Sequence, residues 1–175
     1  TFTATGLGVL DREIINPIVT EELGGEFSLT FTYPADGPAA THIVLENIVA
    51  APVPRLEQRQ GFRISEVVTT LEGMLEVTAF HVFYDLAANL IADTYVVNKT
   101  AKGALTQILG AANTSHGFTA TSSDTVTRSS ARMVRMPITA ALMDAGEDNT
   151  LISRWGGELA RDNFHIHHAP MRGAN

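Results

Sequence analysis

The sequence predicts an α+β fold that is built from antiparallel β-hairpins and two or three short helices. Three observations support this prediction. Strand-like segments alternate apolar and polar residues or are rich in β-branched and aromatic side chains. Turn-forming dipeptides such as Gly24-Gly25 and Asp162-Asn163 separate neighbouring segments. Helical periodicity is confined to short stretches that do not alternate regularly with strands, which argues against a doubly wound parallel sheet.

The first predicted hairpin joins a strand at residues 18–23 to a strand at residues 26–33 through Gly24-Gly25. The second strand has a period of two, which predicts one buried face and one solvated face. Its apolar residues are Phe27, Leu29, Phe31 and Tyr33. We therefore predict that Phe31 and Tyr33 have structural roles.

Residues 42–49 are predicted to form a third strand, which Pro52 ends because proline cannot donate to a strand ladder. A second hairpin is predicted from residues 61–70 and 74–82, with its turn at residues 71–73. This part of the chain is therefore expected to consist mainly of sheet.

Helical spacing begins at residues 83–91, where Phe83, Leu86 and Leu90 would share one face. Thr100 is a suitable cap for a helix at residues 101–112, and Pro137 suits the first turn of a short helix at 138–143. Residues 113–128 are predicted to form a loop or an irregular strand.

The change from strand-rich to mixed sequence predicts two domains. We expect a strand-rich domain at residues 1–95 and a mixed α/β domain at residues 96–175. The second domain is expected to be cut short at its C-terminal end.

Residues 151–172 contain the only tryptophan and the densest group of histidines. Asn149 or Thr150 would cap a short helix that carries Trp155, and Gly156 and Gly157 would end it. A third hairpin follows, with strands at 159–161 and 164–168. We predict that Trp155 fills the core rather than stacking on a ligand, because aromatic side chains dominate core burial. Gly156, Gly157 and Phe164 are likewise assigned structural roles.

Composition restricts the possible functions. The chain has 175 residues, of which 45% are hydrophobic and 18% charged, values that are typical of a globular protein. It contains no cysteine, which excludes disulfides, thiol nucleophiles and thiolate metal sites. No apolar run approaches the length of a membrane span, and we predict no membrane contact. The net charge of −7 argues against specific nucleic-acid binding.

His165 and His167 are the candidate metal ligands, because alternate residues of a strand share one face. A structural zinc ion needs third and fourth ligands, and the spacing supplies none. We therefore predict no metal, no cofactor and no catalytic residue. Arg128, Arg132 and Arg135 are expected to form a solvated or salt-bridged basic face.

Eight stretches occur in one order along the chain: 16–17, 19–27, 29–34, 62–64, 79–86, 154–159, 161–164 and 172–173. They include the sequences EELGGEF, LTFTYP, AFHVFYDL and RWGGEL. Together they resemble the N-terminal region of the phage minor structural protein family, also called the prophage endopeptidase-tail family. No single stretch is diagnostic, but the ordered set is specific.

The resemblance implies a baseplate-hub fold with barrel-like sheet domains, at the distal end of a phage tail in the virion. It further implies a homotrimer that closes the tail tube and contacts the distal tail protein and the tape-measure protein. Cell-wall-degrading or host-binding parts would follow towards the C-terminus, so we predict that this chain is not an enzyme.

Two alternatives remain open. The chain could be a cell-wall hydrolase that uses His165, His167 or His81 with a carboxylate. It could also bind carbohydrate at the host surface, which requires exposed aromatic side chains.

Overall fold

A computed structural model describes residues 6–10, 12–144 and 146–170. Arg172 and Gly173, which contribute to the family resemblance, lie outside these residues. The chain divides into two compact units. The first holds residues 26–82 and the segment that ends at Glu22, and the second holds residues 23–25 and the chain from Phe83 onward.

The first unit is an antiparallel sheet of five strands that curls into a half-barrel. The strand order is β1-β2-β5-β4-β3, so β1 and β3 lie at the edges. The strands are β1 (Ile15–Glu21), β2 (Phe27–Pro34), β3 (Ile48–Ala51), β4 (Gln60–Thr69) and β5 (Met74–His81).

Alternation places the apolar residues of β2 on one buried face of this sheet. In β2, Phe31 is 4% exposed and Tyr33 is fully buried, whereas Thr30, which lies between Leu29 and Phe31, is exposed. The hydroxyl of Tyr33 also accepts a hydrogen bond from the backbone N–H of Ala39 at 3.3 Å. The period of two in β2 therefore predicted its buried face correctly.

Both hairpins predicted in this unit are confirmed. β1 pairs with β2, and β4 pairs with β5, each in antiparallel register. Gly24 and Gly73 lie in the connecting turns with φ of 66° and 74°, a backbone conformation that glycine adopts without steric cost.

The strand predicted at residues 42–49 is wrong. A short 3-10 helix occupies Ala40–His42, and the strand begins only at Ile48. Between them Glu46 has φ of 70°, which is incompatible with an extended strand. The apolar run Ile43-Val44-Leu45 carries the composition of a strand but not its backbone.

In the described residues of the second unit, five strands combine with three α-helices. Its elements are β6 (Leu90–Thr100), α1 (Ala101–Gly110), β7 (Thr119–Ser122), β8 (Arg128–Pro137), α2 (Ile138–Met143), α3 (Leu151–Trp155), β9 (Glu158–Asp162) and β10 (His165–Ala169). β6 and β8 form an antiparallel ribbon, and β7, β10 and β9 form a second sheet in that order.

The β6–β8 ribbon was not predicted. Residues 83–91 were expected to form one helix, but a 3-10 helix ends at Ala88 and β6 begins at Leu90. Leu90 is 48% exposed and does not share the buried position of Phe83 and Leu86. The domain boundary predicted at residues 95 and 96 lies inside β6, whose pairing with β8 belongs to the second unit.

α2 spans the predicted residues 138–143, and α3 begins and ends at its predicted caps, whereas α1 begins at the predicted residue but ends at Gly110, two residues before the predicted end. Thr100 caps α1 by accepting a hydrogen bond from Gly103 N at 3.3 Å. Thr150 and Ser153 form a capping box at the start of α3, which satisfies backbone N–H groups that the helix leaves unpaired. Gly156, with φ of 68°, ends α3.

The closing hairpin is also confirmed. β9 and β10 are antiparallel, and the turn residue Asn163 has φ of 50°. Trp155 is 5% exposed within the core of this unit, and its Nε1 donates a hydrogen bond to Lys99 O at 2.9 Å. The prediction of an α+β class with antiparallel hairpins is confirmed, although β7 and β10 pair in parallel.

Within the part of the chain that the structure describes, no helix has the length and apolar character needed to span a bilayer.

Candidate functional site

The histidine strand β10 lies beside a strand that is rich in hydroxyl groups. In the parallel register of β7 and β10, His165 lies opposite Thr119, His167 opposite Thr121, and His168 opposite Ser122. Each of these three histidines therefore has a hydroxyl neighbour that lies 46 residues away along the chain.

One threonine hydroxyl joins the two candidate metal ligands. Thr121 Oγ1 lies 2.9 Å from His165 Nε2 and 2.8 Å from His167 Nδ1. The second ring nitrogen of His165 lies 2.8 Å from Thr119 Oγ1. Both nitrogens of His165 are thus in hydrogen bonds, and a metal ion at this ring would have to displace one of them.

Burial and neighbouring charge act on His167. Desolvation is the largest cause that lowers its pKa, and repulsion from His165 and His168 lowers the pKa further. This environment favours the neutral ring. Among residues 6–10, 12–144 and 146–170, no group of three or more His, Asp or Glu side chains is placed to hold a metal ion.

His168 is buried and has a defined tautomer when it is neutral. Its Nε2 lies 2.9 Å from the carbonyl oxygen of Gly156, which can only accept, so Nε2 carries the hydrogen. Its Nδ1 then accepts from the hydroxyl of Ser122 at 3.0 Å.

A serine, a histidine and an aspartate therefore lie close together here, but without the geometry of a catalytic triad. In a triad the carboxylate bonds the ring nitrogen that does not face the serine. Here a backbone carbonyl occupies that position. The carboxylate of Asp124 instead accepts hydrogen bonds from the backbone N–H groups of Val126 and Thr127, both at 2.9 Å.

His81, the third histidine named in the hydrolase alternative, lies in the core of the first unit. It is fully buried and stacks on Phe27 with ring centroids 4.3 Å apart. Its Nε2 lies 3.1 Å from Gln60 Oε1, an acceptor, and therefore donates to it. This ring packs in the core and does not face a cleft.

A surface pocket of about 430 Å³ lies in the second unit. Three aromatic rings line part of it: the rings of Phe118 and Phe164 have centroids 5.3 Å apart, and those of His116 and Phe118 have centroids 5.8 Å apart. The polar lining residues are Asp85, Asn89, Thr114 and Ser115. The pocket therefore combines aromatic edges with hydroxyl, amide and carboxylate groups.

Hydrogen bonds between the side chains of Asn89 and His116 and the backbone fix the loop that forms this pocket. The side chain of Asn89 donates to Thr114 O at 2.6 Å and accepts from Thr114 N at 3.1 Å. His116 Nε2 donates to Leu109 O at 3.0 Å, and its Nδ1 accepts from Phe118 N at 3.2 Å. The position of the aromatic group thus depends on residues that are distant in sequence.

The outer face of the β6–β8 ribbon, which we call the ribbon face, is both apolar and basic. Its exposed apolar residues are Tyr95, Val97 and Val134, at 61%, 54% and 44%. Its exposed cations are Lys99, Arg128, Arg132 and Arg135. Arg132 forms a bidentate ion pair with Asp93 at 3.0 and 2.7 Å, and the hydrogen bond from Arg132 lowers the pKa of Asp93.

Arg161 is a structural residue whose role the sequence did not reveal. It is 1% exposed and, among the described residues, it has the largest fully buried side chain. Its Nη1 donates to Gly25 O at 2.7 Å and to the hydroxyl of Tyr84 at 3.0 Å, while Tyr84 donates to the same Gly25 carbonyl. These bonds explain why residues 23–25 belong to the second unit.

No protein-family model and no curated protein matches the sequence. A similar fold occurs in the crystal structure of prophage tail protein gp18 from Listeria monocytogenes EGD-e, with a TM-score of 0.64 and 16% sequence identity. The match covers 93% of this chain and 45% of that chain, so this chain spans less than half the length of that protein. At this identity the comparison establishes a shared fold.

Proposed function

We propose that this chain is a structural component of the tail of a long-tailed phage or prophage. The observation that carries the proposal is the fold shared with a prophage tail protein over 93% of the chain. The ordered sequence stretches that resemble the phage minor structural protein family support it independently.

The finer proposal is a baseplate hub at the distal end of the tail. The chain assembles there as a homotrimer that closes the tail tube, next to the distal tail protein and the tape-measure protein. Antiparallel sheets leave unpaired backbone groups at their edges, and a ring of subunits can cover them. The edge strands β1 and β3 of the first unit are candidates for such coverage.

Charge is consistent with a tube that passes DNA without retaining it. The net charge of −7 repels phosphate groups over about 8 to 10 Å at ordinary salt concentrations. We propose that the acidic surplus contributes to the wall of the channel. A ring whose inner wall is basic would contradict this part of the proposal.

The experiment uses a lysogen that carries the gene. Tails purified after induction should contain the protein in a fixed ratio to the major tail proteins by mass spectrometry, and gold-labelled antibodies should mark one tail end. Deletion of the gene should leave filled heads without complete tails. Complete tails that lack the protein would refute a structural role.

The hydrolase alternative requires a separate experiment. Purified host cell walls are incubated with the chain and with its His167→Ala variant, and soluble peptides and sugars are measured. We expect no release from either protein. Release that the substitution abolishes would replace the structural proposal with an enzymatic one.

The aromatic pocket favours carbohydrate binding as a second candidate function. Aromatic rings beside planar polar groups suit the apolar faces and hydroxyl groups of sugars. Binding of host cell-wall polysaccharide should be lost in Phe118→Ala and retained in Phe80→Ala, which removes a ring that is 39% exposed and outside the pocket. Equal binding by both variants would exclude this pocket as the site.

A further inference from the structure

The two units of the chain differ strongly in charge. In the first unit 11 Asp and Glu residues oppose 4 Lys and Arg residues, whereas the second unit has 8 of each. The whole net charge of −7 therefore belongs to the first unit. Within the neutral second unit, the ribbon face gathers four exposed cations on two adjacent strands.

The β4–β5 hairpin of the first unit carries the opposite charge. Its exposed acidic residues are Glu66 on β4, Glu72 in the turn and Glu76 on β5. Val68 lies directly opposite Glu76 in the register and is 46% exposed, and Leu71 at the tip is fully exposed. We call this surface the hairpin face.

The two faces match in both properties that an interface requires. Each combines exposed apolar side chains with charges of a single predominant sign. On the ribbon face Asp93 neutralises one of the four cations, which leaves a surplus of three to meet the three glutamates of the hairpin face. Complementary charges of this kind select the partner and its orientation, while apolar area supplies affinity.

We propose that the ribbon face of one copy of this chain docks on the hairpin face of a second copy. The inference rests on the proposed function, because it identifies the surfaces by which copies in the tail ring meet. The contact joins two different patches, so each copy keeps one ribbon face and one hairpin face for its neighbours. Such heterologous contacts generate closed rings when the rotation between copies closes.

Tyr95 is the expected anchor of this interface. It is the most exposed of the three apolar residues of the ribbon face and the aromatic one among them, and it lies opposite Arg132 in the β6–β8 register. Tyrosine and arginine are enriched at positions that dominate binding energy. Val97 and Val134 flank it and would exclude water from the contact.

Charge reversal tests the proposal directly. One variant reverses the ribbon face with Arg128→Glu and Arg135→Glu, another reverses the hairpin face with Glu66→Arg and Glu76→Arg, and a third combines all four changes. Self-association is measured by sedimentation velocity over a range of concentrations. Each reversed face should raise the dissociation constant at least about tenfold, since like charges then meet. The combined variant should restore association to within about threefold, because complementarity returns with opposite signs.

A matched control separates local from global charge. Lys102→Glu with Arg154→Glu makes the same change in net charge at exposed positions outside the ribbon face. This variant should associate like the unaltered chain. Association of the unaltered chain should weaken as salt rises from about 0.05 to 0.5 M, because the screening length falls across this range. A Tyr95→Ser variant, which keeps every charge, should also weaken association.

Several outcomes would overturn the proposal. These are an unaltered chain that remains monomeric at every concentration, reversed faces that associate normally, or a well-folded combined variant that does not recover. Binding of the ribbon face to another tail protein instead of a second copy would also overturn it. If the protein is present in purified tails while these variants associate normally, only the assignment of the surfaces fails.

Discussion

Replacing Trp155 with alanine tests the core of the second unit. The indole is 5% exposed and packs with the buried side chains of α1, α2 and β10 in one cluster. Large-to-small substitutions of buried aromatic residues cost about 3 to 5 kcal/mol. The indole Nε1 also donates a hydrogen bond to Lys99 O at 2.9 Å. Loss of this bond adds about 1 kcal/mol to the cost.

This cost should appear as a lower melting temperature. For a protein of this size each kcal/mol corresponds to about 2 to 4 °C, so we expect a decrease of at least about 6 °C. Circular dichroism is the suitable assay, because Trp155 is the only tryptophan and its removal eliminates the intrinsic indole fluorescence. Urea titration of the same samples gives the free energy of unfolding.

Trp155→Phe is the matched control. It retains an aromatic ring in the core but removes the Nε1 donor and part of the indole volume, so it should cost about 1 to 3 kcal/mol, less than alanine does. An unchanged melting temperature for Trp155→Ala would refute the packing role. A large loss for phenylalanine that equals the loss for alanine would show that the hydrogen bond, rather than burial, dominates.

Three further predictions concern residues on or near the β7-β10-β9 sheet. His167→Gln should flatten the pH dependence of stability. In the unaltered protein the pKa of His167 lies below the usual 6.5, so the native state binds fewer protons than the unfolded state, and stability is lost as pH falls below about 6.5. Identical pH profiles for the two proteins would contradict this. Asp124→Asn should lower the melting temperature at pH 7, because hydrogen bonds from Thr127 and Val126 stabilise the carboxylate and lower its pKa from 3.8. The difference in melting temperature between the variant and the unaltered protein should narrow below about pH 4, where the carboxylate becomes protonated. Gly157→Ala should destabilise the fold, since φ is 77° and a Cβ would lie 2.8 Å from His168 Nε2 and closer still to Ala169 O; Gly110→Ala, with open space around it, is the control.

Local patterns in the sequence determined the hairpins and the starts of α1 and α3. The β1–β2, β4–β5 and β9–β10 hairpins each carry a turn whose backbone requires glycine or tolerates asparagine. The caps at Thr100 and Thr150 act on N–H groups three residues away. All of these features depend on neighbours within a few residues, so the residues themselves specify them.

Sequence reasoning failed where local composition and backbone conformation disagree. The strand predicted at residues 42–49 has strand composition, but a turn at Glu46 with positive φ interrupts it. β6 and β8 were missed because each mixes charged and apolar residues. Only their mutual pairing, between residues that lie 28 to 47 positions apart, makes the pattern of burial regular. Strand propensity depends on such partners more than on the strand itself.

The surroundings of the candidate site were decided by tertiary structure alone. The sequence placed His165 and His167 on one face of a strand, which a period of two is sufficient to establish. It could not place Thr121 between them, because the parallel pairing of β7 with β10 joins segments 46 residues apart. Nor could it show that Arg161 is buried, since burial of an arginine depends on acceptors such as Gly25 O, which lies 136 residues away. Long-range register is set by the total packing of the unit, and no short stretch of the chain contains that information.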